Sequence, residues 1–97
     1  MRLTAEQAAI IRSAAAEVFG SDARVWLFGS RVDDGKRGGD IDLLIEAPHK
    51  PPLQQTLQAQ AMLELQLGMP VDVIASSTTD THEPIVQIAR LTGVRLT

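Results

Sequence analysis

Val25-Trp26-Leu27-Phe28-Gly29-Ser30 and, after nine intervening residues, Asp40-Ile41-Asp42-Leu43-Leu44-Ile45-Glu46 decide the fold. Both apolar runs are rich in β-branched and aromatic residues and are bounded by glycine and aspartate, which predicts two strands joined by a loop. Strand alternation places Asp40, Asp42, Leu44 and Glu46 on one side and Ile41, Leu43 and Ile45 on the other. Two aspartates about 7 Å apart along one strand repel, and aspartate is a poor strand residue. A divalent cation held between them would remove that repulsion. Magnesium suits the position, because it takes carboxylate oxygens and completes its shell with water and substrate phosphates. Gly29 permits close approach of a ligand to the backbone, and Ser30 and the turn N–H groups can face an anion. Phosphate on one side and a cation on the other describe a nucleoside triphosphate site. Taken alone, Asp-x-Asp is an ordinary solvated strand end and Gly-Ser is ordinary turn chemistry. The two together, at this spacing, favour the site.

Bulk properties narrow the remaining choices. A chain of 97 residues is expected to form a single domain over 1–97, near the small end of the range. Its hydrophobic fraction of 44% and charged fraction of 22% are those of a soluble globular protein. The absence of cysteine excludes disulfides and thiolate metal sites, and fits a cytoplasmic location. No apolar run approaches the ~18 residues of a membrane span, and the opening residues lack a signal-peptide core. A net charge of −3 offers no general attraction to polynucleotide phosphate, so direct nucleic-acid binding is not expected.

Around the central stretch, Thr4-Ala5-Glu6-Gln7 fits a capping box that opens a helix over 5–19. Ala8, Ile11, Ala15, Val18 and Phe19 form its inward stripe, Arg12 and Glu17 its solvated side, and Gly20 its stop. Trp26 is read as a core side chain, with stacking on a nucleotide base as the alternative. Arg31, Lys36 and Arg37 either contact a triphosphate or keep the loop solvated, and Arg31 is favoured because it adjoins Ser30. Pro48, Pro51 and Pro52 make 47–52 a connector, with His49 exposed. A second helix over 53–68 has Leu53, Leu57, Ala61 and Leu65 on an inward stripe, widened by Met62, Leu63 and Leu67. The breadth of that stripe leaves room for burial against another subunit. Pro70 to Ala75 is a third strand. Strand, helix, strand makes a crossover unit, so the second and third strands should run parallel. If the first strand is antiparallel to the second, Ser30, Asp40, Asp42 and Asp72 meet at one corner. Glu83-Pro84 opens a last helix with Ile85, Ile88 and Ala89 inward, Gly93 ends it, and Val94 to Thr97 can add an edge strand. The fold class is therefore α/β (α+β): a small mixed sheet of three to four strands flanked by helices.

Leu27-Phe28-Gly29-Ser30-Arg31 followed by Gly39-Asp40-Ile41-Asp42-Leu43-Leu44 resembles the Gly-Ser-x9-Asp-x-Asp signature of the DNA-polymerase-beta-type nucleotidyltransferase superfamily. The short chain looks most like its minimal nucleotidyltransferase (MNT) branch, the MntA-like antitoxins. After Gly-Ser the family often reads Arg-Ala-x-Gly, where this chain has Arg31-Val32-Asp33-Asp34 and its glycine at 35. Gly39 fills a slot often held by serine. The resemblance implies ATP as substrate and Asp72 as the acid that completes a metal triad with Asp40 and Asp42. Two magnesium ions would be held by those three carboxylates, with Asp72 relaying the acceptor's proton. Gly29, Ser30 and Arg31 would bind the nucleotide phosphates. The resemblance also implies transfer of AMP to a tyrosine hydroxyl of a HEPN-domain ribonuclease toxin, with the chain as its antitoxin. Two alternatives stay open: a non-catalytic module that inhibits its partner by occlusion, and a transferase acting on a small molecule such as an aminoglycoside. Homo- or hetero-oligomers are compatible with either.

Overall fold

The computed structural model describes residues 3–29, 41–77 and 84–97. In chain order the elements are α1 (Ala5–Phe19), β1 (Arg24–Phe28), β2 (Ile41–Ala47), α2 (Leu53–Leu67), β3 (Val71–Ser77), α3 (Pro84–Thr92) and β4 (Val94–Arg95). The strands form one sheet in the order β3-β2-β1-β4. β1 is antiparallel to both β2 and β4, whereas β2 and β3 are parallel, as the crossover reading requires.

β2 is the centre of the sheet, and its Ile41, Leu43, Leu44, Ile45 and Glu46 are all withdrawn from solvent. Such double-sided burial explains why the run is almost continuously apolar. On one side, Ile41, Leu43 and Ile45 join Val25, Leu27, Val71 and Val73 beneath α1 and α2. On the other, Phe28 and Leu44 pack with Ala89 of α3, flanked by Trp26 and Ile74.

α1 begins as its capping box dictates. The Gln7 N–H donates to Thr4 Oγ1 and the Thr4 N–H to Gln7 Oε1, both at 3.0 Å. Ala8, Ile11 and Ala15 lie inward as expected and Ala14 joins them, whereas Val18 and Phe19 are half-buried. Alanine at three of the four buried positions lets α1 lie close against α2. Arg12 is exposed, yet its guanidinium donates to the Leu96 carbonyl at 3.4 Å and so ties α1 to the end of the chain.

α2 is rotated relative to the expectation. Leu53, Leu57 and Leu65 are 71%, 53% and 86% exposed, and Ala61 is exposed with them. The buried positions are Thr56, Ala59 and Leu63, with Met62 and Leu67 half-buried. The reason lies at the edge of the sheet. β3 is an edge strand, and its Val71 and Val73 N–H groups donate to Glu64 Oε2 (3.1 Å) and Gln60 Oε1 (3.2 Å) of α2. Two polar acceptors on the inward side of α2 satisfy the edge and block further strand pairing. Counting apolar residues alone misses them.

α3 starts at Pro84, the position where a missing N–H costs least. Ala89 is fully buried, but Ile88 is 52% exposed rather than inward, and the Ile85 side chain lies outside the described atoms. α3 passes into β4 through Gly93. A Cβ there would overlap the Ala89 carbonyl oxygen and stand 2.7 Å from that of Leu27. Both obstacles are backbone, so no rotamer change relieves them. Gly93→Ala should therefore lower unfolding free energy by about 1–3 kcal/mol, the usual cost of overpacking. Urea denaturation followed by the emission of the single tryptophan would show this, and an unchanged midpoint would contradict the packing described.

Candidate active site

Asp42 is the second residue of β2 and Asp72 the second residue of β3, and the parallel register makes them direct partners. Paired residues of neighbouring strands project from the same face, and the strands lie about 4.8 Å apart. Both carboxylates therefore stand together at one rim of the sheet, Asp72 exposed and Asp42 partly so. Across β1 the partner of Asp42 is Phe28, so the strand delivers Gly29 to the same rim.

Gly29 has φ +78°. A Cβ on it would overlap Asp42 Oδ2 and lie 3.1 Å from Asp42 Cγ. Glycine is thus favoured by its backbone conformation, and any side chain there would have to push the Asp42 carboxylate aside. The sequence reading assigned Gly29 to the approach of a ligand. The structure adds that the group nearest to it is the Asp42 carboxylate itself. Ser30, Arg31, Lys36, Arg37 and Asp40 lie outside the described residues, as do His82 and Glu83.

Further along the same face, Glu46 pairs with Arg24 on one side and Ser76 on the other. Glu46 and Ser76 are completely buried. The Trp26 indole N–H donates to Glu46 Oε1 at 2.7 Å, which gives the buried carboxylate a donor and holds the indole in one orientation. The ring packs beside Phe28, Leu44 and Ala89, so Trp26 is a core side chain, in line with the favoured reading of the sequence. Sequence reasoning placed Glu46 on the carboxylate side of β2 but assigned it no role. The signal was there: Trp26 and Glu46 fall on one face of two paired strands.

Oxygen is the donor that this rim offers. Two carboxylates in register fit a hard divalent cation such as magnesium, with no sulfur in the chain's cysteine inventory to favour zinc. Among the described residues no three potential ligands come together, and Asp40, the expected third, lies outside them. A separate cavity of about 270 Å³ sits at the far end of β2, lined by Phe19, Ala47, the prolines of the connector and the exposed His49. Five strand residues, roughly 16 Å, separate Ala47 from Asp42, so that cavity does not share the rim.

Residues 9–93 match the family described as Nucleotidyltransferase domain. The chain belongs to that family. No curated protein matches it. The match runs from α1 to the α3–β4 junction and contains Gly29, Asp40, Asp42 and Asp72. A four-stranded mixed sheet with three helices is the polymerase-beta-type nucleotidyltransferase fold, and the chemistry of the family is transfer of a nucleotidyl group. No helix among the described residues is long and apolar enough to cross a membrane.

Two substitutions test this geometry. Gly29→Ala should cost about 1–2 kcal/mol for the positive φ alone and displace the Asp42 carboxylate, weakening magnesium binding measured by calorimetry. Glu46→Ala should cost about 1–3 kcal/mol, because it leaves the half-buried indole donor without this partner, whereas Glu46→Gln keeps an acceptor and should cost less. Equal losses for the two Glu46 variants would show that the hydrogen bond is unimportant.

Proposed function

We propose that this nucleotidyltransferase transfers AMP from ATP to a tyrosine hydroxyl of a HEPN-domain ribonuclease and thereby acts as its antitoxin. The observation that carries the catalytic part is the in-register pairing of Asp42 with Asp72, with the Asp42 carboxylate seated on Gly29. The acceptor and the antitoxin role are supported by the resemblance to minimal nucleotidyltransferases.

In this reading Asp40, Asp42 and Asp72 would hold two magnesium ions. Bound there, magnesium supplies neutralisation of the triphosphate and lowers the pKa of an acceptor hydroxyl. Gly29, Ser30 and Arg31 grip the β- and γ-phosphates through backbone N–H groups, a hydroxyl and a guanidinium. The acceptor oxygen attacks the α-phosphorus in line. The bond to the bridging oxygen of the β-phosphate breaks, and pyrophosphate leaves with the electron pair. Asp72, the more exposed of the described pair, takes the hydroxyl proton.

The chain contains no tyrosine, so labelled tyrosine in a mixture of the two proteins can belong only to the partner. Incubation with α-labelled ATP, magnesium and a HEPN-domain ribonuclease should label that partner. Asp42→Asn and Asp72→Asn should each reduce labelling by about 100-fold or more, with the circular dichroism spectrum retained, and chelation of magnesium should abolish it. Ribonuclease inhibition that survives both substitutions would replace this reading with inhibition by occlusion. Label found only on an added aminoglycoside would move the acceptor to a small molecule.

A further inference from the structure

The face of β3 that carries Asp72 closes step by step from the rim inward. Asp72 is exposed, Ile74 is half-buried, and Ser76 is completely buried, as is its partner Glu46. Ile74 pairs with the fully buried Leu44 and packs against the cluster of Phe28, Leu44 and Ala89. α3 rests on β1, two strands away from β3. A group placed over Asp72 therefore has Ile74 as its inward neighbour along the strand, and Ser76, beyond it, offers no surface.

We infer that Ile74 selects the acceptor of the transfer, favouring a hydroxyl carried on a flat apolar body, a phenol, over aliphatic and sugar hydroxyls. The inference rests on the proposed reaction, in which Asp72 takes the acceptor's proton. Two residues along a strand span about 6.6 Å, close to the length of a phenol ring with its hydroxyl. With its oxygen at Asp72, such a ring lies along β3 and rests on Ile74. The contact removes apolar surface of both partners from water and leaves no polar group stranded. A serine side chain is too short for this. Its hydroxyl reaches Asp72 only if the polar backbone beside it is laid on Ile74. A sugar is long enough, but its other hydroxyls, and the ammonium groups of an aminoglycoside, would lose water against Ile74 without gaining a partner. Length rejects the one competitor and polarity the other, and a single side chain imposes both.

Binding and transfer are read separately. With isoleucine methyl groups labelled and no nucleotide present, N-acetyltyrosinamide at millimolar concentration should shift the Ile74 methyl resonance through its ring current. The resonances of the buried Ile11, Ile41 and Ile45 should stay in place. N-acetylserinamide and kanamycin should leave Ile74 unmoved as well. In transfer from α-labelled ATP, Ile74→Ala should raise KM for the tyrosine acceptor, N-acetyltyrosinamide or the HEPN-domain ribonuclease, about 10-fold. KM for ATP and the circular dichroism spectrum should not change. Ile74→Leu, which restores the apolar bulk, should recover most of the loss. An Ile74 resonance that ignores the tyrosine compound or answers all three compounds equally would overturn the inference. So would an unchanged acceptor KM in Ile74→Ala, or a rise in KM for ATP in its place. Wild-type protein that labels no acceptor at all removes the transfer reading itself, whereas labelling indifferent to Ile74 removes this inference alone.

Discussion

Asp42 stands beside Asp72 because β2 and β3 run parallel and pair without offset from Ile41–Val71 to Ala47–Ser77. A slip of one residue in either strand would send one carboxylate to the face that α1 and α2 cover, and would lift the facing leucines and valines out of the core. Register is therefore held by burial. Ile41, Leu43, Ile45 and Val71 are withdrawn from solvent on the helix-covered side, each of them worth roughly 1.5–3 kcal/mol. The charged rim depends on the apolar residues that alternate with it, and the same alternation that hides leucine exposes aspartate.

The carboxylate side of the sheet carries its own constraints. Here β2 passes from a rim that offers Asp42 to solvent to an interior that contains Glu46, within four residues of one strand. At the rim the neighbour is glycine, and the carboxylate occupies the space a side chain would need. In the interior the neighbour is tryptophan, whose indole N–H meets the carboxylate directly. α3 closes this side with its smallest residue, Ala89, and returns to the sheet at Gly93, where two carbonyl groups leave no room for a methyl. One strand thus presents acids in two settings: Gly29, just past the end of β1, lies against Asp42, and the Trp26 side chain reaches Glu46 diagonally from beside Leu44.

The orientation of α2 is a compromise between apolar burial and the demands of a sheet edge. An unpaired edge N–H is costly when buried and invites other strands when exposed. Gln60 and Glu64 remove both problems at Val71 and Val73, and the rotation that brings them inward carries Leu53, Leu57 and Leu65 outward. The ridge that results is a by-product of edge protection, which explains how so apolar a helix surface arises without disturbing the core.

Much of this was legible in the residues. The α1 capping box, the helix ends at Gly20 and Gly68, the antiparallel and parallel pairings and the β4 edge follow from local rules: hydrogen bonds a few residues apart, strand alternation and crossover connection. The rim of Asp42 and Asp72 followed from the same rules. The rotation of α2 and the Trp26–Glu46 bond did not, because each is decided by a polar contact with another element, which a count of apolar residues does not register. The sequence by itself determined which segments are strands and helices, and which side of each strand carries acid. Only the tertiary structure decided which face of α2 lies inward and that the Asp42 carboxylate lies against Gly29, since an edge N–H and strand register impose those choices.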